Sequence, residues 1–315
     1  MNLPILAVVV PCYNEELVIN EAVKKINSVI NMLVIENVIS IKSFIVFVDD
    51  GSRDNTWNLI ESFGFHFENI RGLKLSRNQG HQNALIAGME FAKDRCDCLI
   101  SIDADLQQDE GLIPAFITEY MNGSEVVIGV RNDRASDSLF KKLTATVFYK
   151  LMISMGVNII KNHADFRLLS NKANSALLEH KEVNLFLRGL IPLIGFRTGY
   201  VYFDVKYRLA GKSKYTLFKM LSLAIDGVTS FSVTPLRLVS FMGVIIFSAS
   251  ILMSIYIISY SFFTDKAIPG WASTVIPIYF MGGVQLLSIG VLGEYIGKIY
   301  SETKKRPRYF IDKEI

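Results

Sequence analysis

Cysteine is scarce in this chain. Three occur in 315 residues, Cys12, Cys96 and Cys98. The count is odd and no C-x-x-C pair is present, which excludes a disulfide framework and a cysteine zinc site and fits a reducing compartment. No G-x-G-x-x-G follows any apolar run, which argues against a dinucleotide-dependent oxidoreductase. The formal net charge is only +3 and no stripe of basic and aromatic residues occurs, so nucleic acid is not an expected partner. Repeats and low-complexity linkers are absent. The apolar stretch Leu3 to Val10 has no basic leader and no small-residue cleavage site, so it reads as a first strand and not as a signal peptide.

Charge itself is missing from two stretches. Ser240 to Phe263 contains none, and Ala267 to Gly293 contains none. Each run suffices to cross a hydrocarbon core of about 30 Å at about 1.5 Å rise per residue. Around the short Thr264-Asp265-Lys266 connection they predict a transmembrane helical hairpin, with spans at about 237–263 and 272–298. Arg237 precedes the first span, and Lys298, Lys304, Lys305, Arg306 and Arg308 follow the second. That distribution places both termini and the globular part in the cytosol. Gly293-x-x-x-Gly297 permits close helix approach, within the hairpin or between protomers. Residues 1–232 are then a cytosolic domain and residues 301–315 a basic tail.

What is present in the first half is a rhythm. Short apolar strands are expected at Ile5–Val10, Phe44–Val48, Ile70–Leu75, Cys98–Ile102 and Glu125–Gly129, with amphipathic helices at Glu16–Met32, Asn55–Phe63, Gln82–Lys93 and Leu112–Tyr120. The fold class is therefore α/β, a Rossmann-like, mostly parallel sheet with helices on both faces. Ligands of such sheets bind at the carboxyl ends of the strands. The polar clusters fall there: Asn14-Glu15, Asp49-Asp50-Gly51-Ser52, Arg77-Asn78, Asp103-x-Asp105 and Arg131 each follow one strand. Five on one edge are more than turn chemistry requires. Asp103 and Asp105 have no apolar reason to end a buried strand, and alternate residues of an extended chain point the same way, so the two can converge on one cation, the alternative for an isolated D-x-D being an N-cap and a turn. Paired hard oxygens suit Mg²⁺ or Mn²⁺, with phosphate completing the coordination.

Two further segments, 139–155 and 215–231, carry an apolar face with lysines. The first fits a helix lying in the membrane surface and a helix packed on the sheet equally well. The second leads into the first span and reads as interfacial.

The motifs Pro11-Cys12-Tyr13-Asn14-Glu15, Asp49-Asp50-Gly51-Ser52, Asp103-Ala104-Asp105-Leu106-Gln107 and Ala164-Asp165-Phe166-Arg167-Leu168 together resemble the family 2 glycosyltransferases with a GT-A fold. Leu209-Ala210-Gly211-Lys212-Ser213-Lys214-Tyr215, followed by two spans, narrows the resemblance to the polyprenyl-phosphate glycosyltransferases. Within that group the chain looks most like the bactoprenol glucosyltransferases of O-antigen modification, with dolichol-phosphate mannose synthases more distant. The short motifs are weak singly; their order and spacing are specific.

The resemblance implies an inverting, metal-dependent transfer of a hexose onto a polyprenyl phosphate at the cytosolic face of a bacterial inner membrane, the donor being a UDP-hexose, with UDP-glucose the leading choice. It implies that Pro11, Tyr13, Asn14, Glu15, Asp49 and Asp50 hold the nucleotide. Asp103 and Asp105 become the sugar-nucleotide and metal carboxylates, with Gln107 a further metal ligand. Asp165 becomes the acidic residue beside the acceptor, as a base or, ranked ahead of that, as a positioning group. Arg131, Arg134, Arg208, Lys212, Ser213 and Lys214 become phosphate contacts. A homo-oligomer, tetrameric by family analogy, is also implied. The Q-x-x-R-W motif of processive polysaccharide synthases is absent, since neither Trp57 nor Trp271 follows an arginine. One departure stands out. Relatives commonly continue D-A-D-L-Q-D-P-P-E, where this chain has Gln108-Asp109-Glu110-Gly111, so the rigid double-proline turn is missing. His81 and His163, lone histidines near motifs, receive no role from sequence.

Overall fold

A computed structural model of the chain describes residues 3–132, 160, 162–183, 186–204, 229, 232–264 and 271–315. The expected amphipathic segments at 139–155 and 215–231 lie outside the described residues, apart from residue 229, and so do Arg134, Arg208, Lys212, Ser213 and Lys214.

The chain divides into two units, one holding the sheet and one holding two long helices. In the first, strands and helices alternate as β1 (Leu6–Cys12), α1 (Ile19–Ile35), β2 (Phe44–Asp49), α2 (Thr56–His66), β3 (Ile70–Leu75), α3 (His81–Ala92) and β4 (Cys98–Ser101). There follow α4 (Ile113–Met121), β5 (Val126–Arg131), β6 (His163–Ser170), α5 (Asn171–Leu178), α6 (Leu187–Leu193) and β7 (Thr198–Phe203). The last strand, β8 (Ile311–Glu314), closes the unit. The five strands and four helices expected from periodicity are all present within a few residues of the expected bounds.

The sheet order is β7-β5-β6-β4-β1-β2-β3-β8. β4, β1, β2 and β3 are parallel neighbours, which right-handed crossovers through α1, α2 and α3 require. β6 is reversed: it pairs antiparallel with both β4 and β5, Ser101 opposite Arg167 and Cys98 opposite Ser170. The reversal matters for chemistry, because the first residues of β6 lie at the carboxyl end of β4.

Two-residue alternation sorts the strands between two faces. Val8, Val10, Ile45, Phe47, Ile100 and Phe166 join one continuous core with α1, α2 and α4, where Phe166 lies against Phe116 with ring centroids 4.3 Å apart. On the opposite face α3 approaches β1 and β2 through Gly88. A Cβ built there would lie 2.4 Å from Val9 Cγ1 and 3.0 Å from Val48 Cγ2. Glycine within a helix costs about 1 kcal/mol against alanine; here the cost is offset by helix–sheet contact that no larger residue permits. Gly88→Val is expected to lower unfolding stability by about 1–3 kcal/mol through overpacking, read by chemical denaturation of the detergent-solubilised protein; an unchanged midpoint would show that the helix simply moves away.

The segment 301–315, expected to be a basic tail, ends in a strand. β8 pairs antiparallel with β3, and Ile315 fills the space that Gly64 and Gly72 leave open. This gives the edge of β3 a partner, a protection exposed strands need.

In the second unit, α7 (Thr234–Thr264) and α8 (Trp271–Thr303) are each long and apolar enough to cross a membrane, with windows at Thr234–Met253 and Phe280–Thr303 of mean hydropathy 2.1 and 1.2. Neither window is buried within the chain; exposed Phe241, Leu252, Leu286 and Ile296 are side chains that water disfavours.

Candidate active site

The loops after β1 and β2 are built against each other. Asp50 N–H donates to the Cys12 carbonyl at 2.8 Å, extending the parallel ladder by one step. Asn14 takes a left-handed backbone, φ +53°, a conformation asparagine tolerates better than most residues. Its N–H donates to Ser52 Oγ at 2.9 Å and its Oδ1 accepts from Arg53 N–H at 2.9 Å. Glu15 N–H donates to Thr56 Oγ1 at 2.9 Å. Pro11 is the penultimate residue of β1, and Tyr13 lies between its last residue, Cys12, and Asn14.

Asp49 and Asp50 are both buried and both engaged with backbone. Asp49 accepts from Ser52 N–H, which closes its own turn. Asp50 accepts from Gln79 N–H at 2.7 Å and Gly80 N–H at 2.9 Å, so it fixes the start of α3. Burial raises both carboxyls above their ordinary range, and these donors oppose the rise. Gly51 allows the approach: at φ +67° its Cβ position lies 2.5 Å from the Arg77 carbonyl carbon.

Asp103 and Asp105 stand where the sequence places them, just past β4. Ile102 N–H still donates to Val9 O at 3.1 Å, so the loop leaves the sheet only at Asp103. The loop turns through Leu106 at φ +54°. Asp105 Oδ1 accepts from Gln107 N–H at 3.1 Å. In place of the missing prolines, Asp109 caps a single 3₁₀ turn (Glu110–Leu112) by accepting from Gly111 N–H at 3.0 Å. Gln108 folds back onto Asp103. Burial pushes the Asp103 carboxyl up; His81 opposes that, while Asp165 and Asp105 add to it.

Asp165 joins Asp103 through the reversed strand. On β6, Ala164, Phe166 and Leu168 enter the core, so His163, Asp165 and Arg167 take the other face, toward α3. His81 Nε2 then lies 3.6 Å from Asp103 Oδ1 and 3.8 Å from Asp165 Oδ2. Arg188 Nη2 donates to Asp165 Oδ2 at 2.8 Å and its Nε donates to Oδ1 at 3.3 Å. Fully buried Arg167 donates its Nη2 to Asp165 Oδ1. Gln82 Oε1 accepts from Leu187 N–H at 3.0 Å, tying α3 to the helix that carries Arg188. Burial alone would raise the Asp165 carboxyl, but Arg188 and Arg167 override it and hold it well below the carboxylate range. His163 is driven the other way: burial, then Arg167 and Arg188, keep it neutral.

The structure thus brings Asp103 and Asp165 onto one histidine and leaves Arg131 at the carboxyl end of β5, where Val130 pairs with His163. His81, Arg188 and Gln108 received no role from sequence reasoning, and Arg167 entered it only through the motif that holds Asp165. Arg188 had a visible signal, a lone charge in the apolar run Phe186 to Leu193. Arg167 was legible as the strand neighbour of Asp165 two residues on. His81 opens a helix on the carboxyl edge, yet nothing local separates it from a structural histidine.

Arg188→Lys is expected to reduce turnover about tenfold or more while leaving the unfolding midpoint nearly unchanged, because one ammonium does not reproduce a two-point contact with Asp165. Parallel rate and melting measurements check this; full activity would remove Arg188 from the site.

Residues 7–183 match the glycosyl transferase family 2 model. The chain is 48% identical over 313 residues, 98% of its length and 91% of the relative's, to the uncharacterized glycosyltransferase YkoT of Bacillus subtilis. It is 37% identical to the bactoprenol glucosyl transferase of Shigella phage SfX, covering 97% of this chain and 98% of that one. Glucosyl-3-phosphoglycerate synthase from Mycobacterium tuberculosis, solved with Mn²⁺, UDP-glucose and phosphoglyceric acid, is similar at 15% identity and a TM-score of 0.48, over 72% of this chain and 78% of that chain. The chain belongs to glycosyl transferase family 2, and its sheet is mixed with helices on both faces. It is a glycosyltransferase.

Proposed function

We propose that the protein transfers a hexose, glucose from UDP-glucose being the leading choice, onto undecaprenyl phosphate at the cytosolic face of a bacterial inner membrane, supplying a lipid-linked sugar for envelope glycan modification. One observation carries the reading: carboxylates grouped at the strand ends occur in the same chain as two membrane-length apolar helices, and that chain is similar nearly end to end to bactoprenol glucosyl transferases.

The chemistry is a single displacement. A phosphate oxygen of the acceptor bonds to the anomeric carbon, and the bond from that carbon to the diphosphate oxygen breaks, its electron pair leaving with UDP. A phosphate monoester with a second pKa of about 6 is mostly dianionic at neutral pH, so no proton need be taken from it. Asp165, held ionised by two guanidiniums, therefore acts by positioning Arg188 and Arg167 and not as a base. Asn14 and Glu15 face the nucleotide side of the edge, with Pro11 and Tyr13 beside them. Asp49 and Asp50 shape that pocket through the loops they anchor. Arg131 and Arg134, with Arg208, Lys212, Ser213 and Lys214, answer the charge of donor diphosphate and acceptor phosphate.

Among the described residues no group of three or more His, Cys, Asp or Glu forms a metal cage. The donor set that is present, Asp103, Asp105 and Gln107, is all hard oxygen and leaves places for phosphate, which fits Mg²⁺ or Mn²⁺. When bound, such an ion stabilises charge on the departing diphosphate. The paired apolar helices and Gly293-x-x-x-Gly297 support membrane residence and a homo-oligomer, a tetramer by analogy.

The test is an incubation of purified protein with undecaprenyl phosphate and radiolabelled UDP-glucose, UDP-N-acetylglucosamine or GDP-mannose. Glucose is expected in the lipid fraction. Label from another donor would correct the sugar, and no lipid-linked product from any donor would defeat the reading.

A further inference from the structure

Gln108 occupies the position where the family pattern has an acid, and its side chain is spent entirely on Asp103. The amide is 1% exposed. Its Oε1 accepts from Asp103 N–H at 2.9 Å, and its Nε2 donates to Asp103 Oδ2 at 2.6 Å. This reciprocal pair fixes the orientation of the amide. Turned over, it would set donor against donor at the backbone and acceptor against acceptor at the carboxylate. The contact spans the loop whose turn passes through left-handed Leu106, so it holds both the backbone and the carboxylate rotamer of Asp103.

Oδ2 of Asp103 faces Gln108, and Oδ1 is the oxygen turned to His81, 3.6 Å away. A carboxylate with one oxygen committed to a buried donor is a one-oxygen ligand. An aspartate or glutamate at position 108 would bring a second carboxyl against Asp103 instead of a donor, and would add an anionic oxygen to the same group.

We propose that Gln108 is a positioning residue for the first carboxylate of the site: it fixes Asp103 so that a divalent cation and sugar nucleotide meet Oδ1 alone, and it sets the charge that the pair Asp103 and Asp105 presents. The inference rests on the sugar-nucleotide reading above and adds to it a residue that the family pattern does not supply. Its consequence is particular to this chain. Cation affinity here depends on a neutral amide's grip on one carboxylate oxygen.

The experiment is a Mn²⁺ titration of the purified full-length protein, with and without UDP, following the electron paramagnetic resonance signal of the free ion. Gln108→Leu keeps the volume and removes both hydrogen bonds; its dissociation constant for Mn²⁺ in the presence of UDP is expected to rise about tenfold or more. Gln108→Glu keeps the shape and replaces the donor with an anionic oxygen; its dissociation constant is expected to fall below wild type while turnover also falls, because Asp103 is no longer held with Oδ1 forward. A role confined to stapling the loop would lower the melting temperature in both variants and leave Mn²⁺ affinity alone. That result overturns the inference, as does a wild-type protein that takes up no Mn²⁺ with or without UDP. If Mn²⁺ binding shifts as expected while no donor yields lipid-linked sugar, the inference stands and the proposed acceptor falls.

Discussion

Asp165→Asn is expected to abolish sugar transfer and to melt well below the wild-type protein. Both effects follow from the one carboxylate that two guanidiniums share. Arg167 is fully buried, and its Nε and Nη1 have no hydrogen-bond partner among the described residues; Asp165 supplies its counter-charge. Removing one member of a buried ion pair costs about 3–5 kcal/mol, because the other charge is left uncompensated. The double variant Asp165→Asn with Arg167→Met separates the two effects. It removes the stranded charge, so stability is expected to recover most of the loss, whereas transfer stays at background because Arg188 has lost its anchor. Recovery of activity alongside stability would mean that Asp165 serves the scaffold only.

The same pair sets an acid limit. The folded Asp165 carboxyl lies well below its ordinary value, so its contribution to stability is full above the unfolded pKa of about 3.9 and is lost as pH falls below that toward the folded value. Between about pH 5 and 8 the group stays ionised, so the rate profile carries no limb from it. A carboxylate base poised near neutrality by a raised pKa would give such a limb.

The parallel half of the sheet was legible because its signals are local. Ile70–Leu75 and Phe44–Asp49 are short apolar runs bounded by turn residues, and α1 shows its buried stripe through Ile19, Val23, Ile26 and Ile30. The site edge followed from the rule that strands of such sheets present their carboxyl ends. The reversed strand β6 was not legible in the same way. Its pairing with β4 joins Leu99 to Leu169 across 70 positions, and nothing in either segment encodes direction. With β6 came Arg167 and the placement of Asp165, and with α6 came Arg188. Asp49 and Asp50 show a second role that sequence does not display. An acid at a strand end reads as a ligand from sequence, while its anchoring of backbone, here the N–H groups of Ser52, Gln79 and Gly80, depends on loops far along the chain.

Asp103→Asn is expected to be as defective as Asp103→Ala, each losing about a hundredfold or more in transfer, the range seen when one charge-stabilising group is removed from a site. An asparagine is normally the gentler change, since it keeps shape and one acceptor oxygen. Here Gln108 decides which end of the new amide goes where. Its Nε2 demands an acceptor at the Oδ2 position, so the asparagine oxygen is held there and its NH₂ is turned to the side that faces His81 and the incoming donor. Two N–H groups then stand where the wild-type protein offers an oxygen, and they repel both a cation and a ribose hydroxyl's proton. At Asp105 the contact shown is with backbone: its Oδ1 accepts from Gln107 N–H, and an asparagine there keeps that contact with its own amide oxygen. Asp105→Asn is therefore expected to retain several times more activity than Asp105→Ala, restored in part by raising Mn²⁺. Rates for the four variants across a Mn²⁺ series check the contrast. Substantial activity in Asp103→Asn would show that the Gln108 contact opens when donor binds, and that the first carboxylate meets the substrate with both oxygens.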